Sequence, residues 1–215
     1  MLATLVKISN VTNLSDARYC AGMGVDMLGF SMDKSSPDYV DPARFTEIRN
    51  WLAGVQIVGE TTETDLDRIG ELLGIYQPDL LQVDEAALLP ALSTLGKPRG
   101  GVPPGGSPLI LRLNLADMTL EQLDALVQAN PTNADYILLE SPNPIHLDDD
   151  LKMAIGQLAT RHAVLLGTGI SAETIHDRLT ELPIRGIALT GGPEDRPGSR
   201  DFGQLMTILE LIEVD

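Results

Sequence analysis

Short apolar runs alternate with segments of helical periodicity along the whole chain, and this alternation restricts the possible folds more than any other feature. Runs such as Ile137–Leu139 and Val164–Leu166 contain no polar residue, which is typical of strands buried on both faces of a parallel sheet. Two neighbouring parallel strands need a crossover connection between them, and the helical segments can supply these connections. The eight predicted strands are Leu5–Ile8, Met27–Phe30, Val55–Val58, Asp79–Val83, Leu109–Leu113, Tyr136–Glu140, Ala163–Leu166 and Ile184–Leu189.

Eight strand–helix units of about 27 residues each fit a compact closed barrel. An open doubly wound sheet is the alternative, but it is expected to have fewer strands and a glycine-rich turn after the first one. Here that turn is Ser9–Asn13, which contains no glycine. The one linker-like stretch, Gly96–Pro108, is too short and too well embedded to separate domains. We therefore predict a single-domain α/β (β/α)8 TIM barrel over residues 1–215, with 96–108 as a surface excursion.

Helix-start signals support the same order of elements. Asn13 and Asp16 have the spacing of a capping box, as do Thr119 and Gln122, and Asp41 precedes a proline at the first helical position. The predicted helices cover residues 13–23, 42–52, 66–73, 85–95, 119–128, 147–159, 171–182 and 202–212.

Composition excludes several classes of function. The chain has 15 basic and 31 acidic residues, so its net charge of −16 disfavours nucleic acid and anionic membranes as partners. No apolar run approaches the roughly 18 residues of a membrane span, and the first residues lack the pattern of a signal peptide. A single cysteine, Cys20, excludes an internal disulfide. We expect a soluble, cytoplasmic protein.

The segment from the first strand to Val40 carries a dense set of specific residues. They are Lys7–Ile8, Thr12–Leu14, Asp16–Ala17, Gly24, Asp26, Gly29–Phe30, Ser36–Pro37 and Tyr39–Val40. In this arrangement they resemble the opening of phosphoribosylanthranilate isomerase, an enzyme of tryptophan biosynthesis. The resemblance extends over nearly the whole chain and implies the same barrel.

The resemblance also implies where the reaction would take place. The family's enzyme opens a ribosylamine with a general acid and then removes a proton from the neighbouring carbon with a base. Its base is a cysteine just after the first strand, and Ser9 occupies that position here, followed by Asn10 in place of glycine. Its acid is an aspartate that closes the sixth strand, where this chain has Glu140. A serine hydroxyl is a poor base unless a neighbour takes its proton, and the sequence identifies no such neighbour.

Two further positions depart from the family. An arginine that resembles a clamp for the anthranilate carboxylate is replaced by Asp38, so attraction becomes repulsion. The family's fourth strand ends in Q-L-H-G. Here Gln82 is kept, but Val83, Asp84 and Glu85 follow it, and no histidine is present in this stretch. The chain's three histidines are predicted on helices or away from the strand ends, and they form no metal constellation. We expect no metal and no cofactor. The histidines are His146, His162 and His176.

Two glycine-rich turns predict a phosphate site. Gly167, Thr168 and Gly169 follow the seventh strand, and Thr190, Gly191 and Gly192 follow the eighth. Loops at these places are the usual phosphate cradle of the barrel, because glycine lets backbone amides approach an anion. They are also similar to the family's turns. Tight turning alone is the alternative explanation for the glycines. The remaining residues assigned to ligand binding are Lys7, Asn10, Asp38 and Gln82.

Three hypotheses about function remain open. The first is a diverged barrel that binds a small phosphorylated metabolite and has lost or changed the isomerase reaction. The second is a working phosphoribosylanthranilate isomerase that uses Ser9 and Glu140. The third is a non-catalytic regulatory or oligomerisation barrel. A monomer or a homodimer is expected in each case.

Overall fold

The computed structural model describes residues 1–94, 107–129, 133–143, 145–191, 194–196, 199–200 and 203–214. Eight parallel strands form a closed barrel in the order of the chain, and the last strand pairs with the first. This confirms the predicted TIM barrel. The strands are β1 Leu5–Ser9, β2 Met27–Ser31, β3 Gln56–Glu60, β4 Leu80–Val83, β5 Leu109–Asn114, β6 Tyr136–Glu140, β7 Val164–Leu166 and β8 Gly186–Thr190. The helices are α1 Leu14–Gly22, α2 Pro42–Arg49, α3 Leu66–Tyr76, α4 Leu89–Leu92, α5 Leu120–Ala129, α6 Asp149–Ala159, α7 Ile175–Glu181 and α8 Gly203–Leu211.

Two short strands between β8 and α8 were not predicted. They are β9, Glu194–Arg196, and β10, Ser199–Arg200, and they pair antiparallel outside the barrel. Most of the predicted surface excursion, residues 95–106, lies outside the described residues.

The capping signals in the sequence are confirmed. The Asn13 side chain accepts a hydrogen bond from the amide of Asp16 at 2.9 Å. Thr119 and Gln122 exchange the two bonds of a capping box, at 2.9 and 3.2 Å. Each contact gives an acceptor to an amide that has no partner within its helix.

Four predicted helices differ from the structure by three or more residues at an end. The third predicted helix continues to Tyr76 instead of Leu73. The fourth is much shorter than residues 85–95: a 3-10 turn over Ala86–Leu88 precedes α4, where Pro90 removes an amide donor. The second ends at Arg49 instead of Leu52. The seventh begins at Ile175 instead of Ser171, because the Thr174 hydroxyl accepts from the Ser171 amide at 2.9 Å and holds these residues in a turn.

The barrel interior begins with an apolar layer and continues upward as a polar one. Strand residues alternate between the inside and the helix-facing outside, and the outward residues pack in the two larger apolar clusters under the helices. Within the described residues, every helix falls short of the length and apolarity that a membrane span requires. The inner apolar layer consists of Met27, Val58, Leu80, Ile110, Leu138, Leu165 and Ala188.

Candidate active site

A ring of polar side chains lies above the inner apolar layer, at the carboxyl ends of the strands. Strand periodicity explains the ring, because a residue two positions further along a strand points to the same face. Glu60 thus follows Val58, Arg112 follows Ile110 and Glu140 follows Leu138. The carboxyl ends of the strands are where barrels of this type hold their active sites. The polar ring consists of Lys7, Ser9, Glu60, Gln82, Arg112 and Glu140.

A buried ion pair forms one side of the polar ring. Lys7 is completely buried, and its ammonium group donates to Ser9 Oγ at 2.6 Å and to Glu60 Oε1 at 2.5 Å. The second carboxylate oxygen of Glu60 accepts from the amide of Asn10 at 3.1 Å. Asn10 has a φ of 56°, a left-handed conformation that asparagine tolerates better than most residues. The charge of Glu60 therefore has a cation and an amide as partners, as a buried charge requires.

Ser9 links this ion pair to Glu140. Its hydroxyl oxygen accepts from Lys7, and the hydroxyl lies 3.4 Å from Glu140 Oε1, to which it can donate. The structure thus brings together the two residues proposed to react, which are 131 positions apart in the chain. It also shows a hydrogen-bond acceptor for the Ser9 hydroxyl that the sequence analysis did not find.

Burial raises the pKa of the Glu140 carboxyl above its ordinary value. The positive charge of Lys7 opposes this shift, the negative charge of Glu60 adds to it, and Arg112 again opposes it. Desolvation dominates, because a charged carboxylate loses more by leaving water than a neutral one. Glu140 therefore keeps its proton to higher pH than an exposed glutamate, which suits a general acid.

Two glycines make room for the side chains of Glu60 and Glu140, each from the strand next to that of its glutamate. A Cβ atom at Gly29 on β2 would lie 2.0 Å from Glu60 Oε1. A Cβ atom at Gly167, directly after β7, would lie 2.6 Å from Glu140 Cγ. Both distances are far below contact distance, so neither position accepts a side chain while its glutamate keeps this conformation.

The loop after β7 has the features of an anion site, but its two glycines contribute differently to it. The Gly167 amide donates to the carbonyl of Leu139 at 2.8 Å and is not available to a ligand. The next amides, of Thr168, Gly169 and Ile170, donate to no residue that the structure describes. Gly169 has a φ of 67°, and a left-handed residue among successive amides is typical of anion-binding nests.

A cavity of about 520 Å³ lies beside this loop. Thr190, which ends β8, also lines it, whereas the adjacent Gly191 is half-buried and Gly192 lies outside the described residues. The sequence analysis placed His146 away from the strand ends, but it follows β6 and lines the same cavity. Phosphate binding by the two glycine turns stays a prediction.

The sequence analysis assigned no role to two ring residues, Glu60 and Arg112. Arg112 lies in the buried run Leu109–Leu113, where one charged residue among leucines and isoleucine indicates a polar interior position. Its guanidinium donates to both carboxylate oxygens of Asp84, from Nε at 2.8 Å and from Nη2 at 2.5 Å. For Glu60, the signal was its place two residues after the apolar Val58 at the end of a strand.

The other predicted site residues have distinct surroundings. Gln82 is buried in the ring, and its Oε1 atom has no hydrogen-bond partner among the described residues. Asp38 lies half-buried in the loop after β2, and its amide donates to the Ser36 hydroxyl. Cys20 is buried in α1, and burial raises the pKa of its thiol to about 12, so it is not a base.

Curated proteins similar to this chain are N-(5'-phosphoribosyl)anthranilate isomerases. The one from Maridesulfovibrio salexigens is 23% identical over 218 residues, which cover 98% of this chain and 99% of the relative. The one from Paracoccus denitrificans is 26% identical over 219 residues, which cover 97% and 96%. No protein-family model matches the chain. The chain is thus similar to phosphoribosylanthranilate isomerases over nearly its whole length.

Solved structures of phosphoribosylanthranilate isomerases share the barrel. One, in complex with reduced 1-(o-carboxyphenylamino)-1-deoxyribulose 5-phosphate, superimposes with a TM-score of 0.75 at 18% identity, covering 96% of this chain and 97% of the other. The enzyme from Thermus thermophilus gives a TM-score of 0.73 at 21% identity, with 96% of each chain covered. At these identities, the structures establish the common fold.

Proposed function

We propose that this chain binds a small phosphorylated sugar at the mouth of its barrel and that the family's isomerase reaction is lost or changed. The observation that carries the proposal is the environment of Ser9, which stands where the family has its catalytic cysteine. A base must accept a proton, yet Ser9 Oγ already accepts a 2.6 Å hydrogen bond from the Lys7 ammonium. A hydroxyl has no readily formed anion comparable to a thiolate, so the second step of the reaction lacks its base.

Ligand binding itself is supported by the β7 loop and by the ring. The amides of Thr168, Gly169 and Ile170 can donate to phosphate oxygens. The cavity beside them is lined by the loops after β6 and β7 and by the end of β8. Gln82 Oε1 offers an acceptor for a sugar hydroxyl. Lys7 is completely buried and has two internal partners, so we do not assign it a ligand contact. The phosphorylated ligand bound to a structural neighbour supports the same class of partner.

A working isomerase is the second candidate, and one contact favours it. Ser9 lies 3.4 Å from Glu140, whose raised pKa suits the acid that opens the ribose ring. If Glu140 then took the Ser9 proton, the oxygen could act as a base, and the nearby Lys7 charge would stabilise it. This route requires two successive proton transfers through one carboxyl group.

A direct assay distinguishes the two candidates. We expect little or no turnover of phosphoribosylanthranilate, followed by the fluorescence of its anthranilate group. Ser9→Cys combined with Asp38→Arg is expected to raise turnover, because it restores a thiol base and a cation for the carboxylate. Adding Glu140→Gln to that variant is the control and should abolish the gain. Wild-type turnover of ~1–10³ s⁻¹ would replace the first candidate by the second.

Binding is tested separately by calorimetry with reduced 1-(o-carboxyphenylamino)-1-deoxyribulose 5-phosphate. We expect Gly169→Val to abolish binding, because valine disfavours a φ of 67° and its Cβ would lie 2.7 Å from Leu147. Gly156→Ala in α6, where no atom lies within 4 Å of the added carbon, is the control. If the folded wild type does not bind the compound, the non-catalytic barrel becomes the best description.

A further inference from the structure

Arg112 differs from the other cation of the polar ring in its access to solvent. The Lys7 side chain is 0% exposed and its charge faces Glu60, whereas the Arg112 side chain is 33% exposed. Among the described residues of the ring, Arg112 is therefore the cation that an incoming ligand can reach. The hydrogen bond to Asp84 raises the pKa of Arg112 and keeps the group charged.

The guanidinium of Arg112 retains unused hydrogen-bond donors. Asp84 occupies one edge, through Nε at 2.8 Å and Nη2 at 2.5 Å. The remaining terminal nitrogen, Nη1, donates to no described residue. A guanidinium carries five N–H groups in one plane, and its free end matches the two oxygens of a carboxylate. Asp84 also fixes the orientation of that plane.

The position of Arg112 in the barrel indicates which end of a ligand it would bind. In the closed order of strands, β4 and β5 lie opposite β8 and β1. A sugar phosphate held by the loops after β7 and β8 extends across the mouth, so its other end approaches β4 and β5. In the loop after β2, the half-buried Asp38 stands at the position where the family has an arginine.

We propose that Arg112 binds a carboxylate, or a similar planar anion, on the end of the ligand remote from its phosphate. This inference rests on the proposed binding of a phosphorylated sugar and adds the residue that would hold a second acidic group of that ligand. Arg112 would take over anion recognition from the arginine that Asp38 replaces. Asp84 is its positioning residue.

The experiment compares two ligands by calorimetry. One is reduced 1-(o-carboxyphenylamino)-1-deoxyribulose 5-phosphate, and the other is the same compound without its carboxyl group. Charge-assisted hydrogen bonds of this kind correspond to about tenfold to a hundredfold in affinity, so the wild type should prefer the carboxylate by that ratio. Arg112→Gln should remove the preference and leave the affinity for the carboxyl-free compound unchanged.

Two further variants make the result specific. Arg112→Gln with Asp84→Asn leaves a neutral pair that can still form hydrogen bonds, so this double variant serves as the test if the single variant folds poorly. It should also lose the preference for the carboxylate. Arg68→Gln, whose side chain is 67% exposed on α3, removes the same charge elsewhere and should keep the preference.

The possible outcomes separate this inference from the proposed function. If the wild type binds both compounds equally, or if the preference survives Arg112→Gln, the inference is wrong while sugar-phosphate binding stands. If the wild type binds neither compound, both are wrong. A preference that both Arg112 variants remove and Arg68→Gln retains supports the inference.

Discussion

Glu140 carries its charge in the mouth of the barrel without a direct ion-pair partner among the described residues. Its nearest described polar contact is the Ser9 hydroxyl at 3.4 Å, while the Lys7 charge is already matched by Glu60. The ionised form of Glu140 is therefore less stable than that of an exposed glutamate, and its pKa is raised. Active sites often accept such a loss of stability in exchange for a useful proton.

This arrangement predicts a pH-dependent effect of Glu140→Gln. A folded-state pKa raised above the unfolded value contributes stability below the unfolded pKa, and that contribution is lost as the pH rises through the folded pKa. Glutamine cannot ionise, so the variant should gain stability relative to wild type as the pH rises above about 4.5. Urea unfolding at pH 4 and at pH 8 measures the difference. Glu47→Gln, exposed on α2, is the control, and an equal effect of both variants would contradict the prediction.

At the scale of elements, local signals in the sequence predicted the structure well. Asn13, Asp41 and Thr119 cap helices as expected, because a cap depends on residues within four positions. The main error was the fourth helix, where Pro90 and a 3-10 turn shorten the α-helix. Eight buried strands without polar alternation were sufficient to predict the closed barrel.

The candidate site was only partly predictable from the sequence. Ser9 and Glu140 were located by resemblance to the family and do lie together. The contact between Lys7 and Glu60 joins residues 53 positions apart, and it depends on the register of three strands, which periodicity does not determine. The same holds for Arg112 and Asp84, on neighbouring strands. The sequence thus predicts which residues lie at the strand ends, but not which of their side chains contact one another.

A glycine inside a helix lowers stability where neither the backbone conformation nor the surrounding space requires it. Gly70 lies exposed in α3, and no atom lies within 4 Å of an added Cβ. Alanine restricts the unfolded chain and favours the helix, so Gly70→Ala should stabilise the fold by about 1 kcal/mol. Gly29→Ala is the opposite case, because its Cβ would meet Glu60 at 2.0 Å. Urea unfolding of both variants tests this, and a destabilised Gly70→Ala would contradict it.

For the whole molecule, the dominant electrostatic property is the net charge of −16. Most of these charges lie on the surface, where they repel one another across distances that salt can screen. The screening length falls from about 30 Å at 0.01 M salt to about 8 Å at 0.15 M. The polar ring is less affected, because its ion pair is buried and its charges are matched at short range.

We therefore expect the urea midpoint at pH 8 to rise between about 0.01 M and 0.15 M sodium chloride, since screening weakens the repulsion in the folded state. The same titration near the isoelectric point, at pH 4.4, is the control, and salt should have little effect there. An equal rise at both pH values would mean that salt acts on burial of apolar surface instead of on net charge.

The two glycines beside the acidic side chains also limit how a lineage can change this mouth. Glu60 and Glu140 keep their observed conformations only while positions 29 and 167 lack a side chain. A lineage that exchanged either glycine would have to shorten or turn away its glutamate, and would change the contact of that glutamate with Lys7 or Ser9.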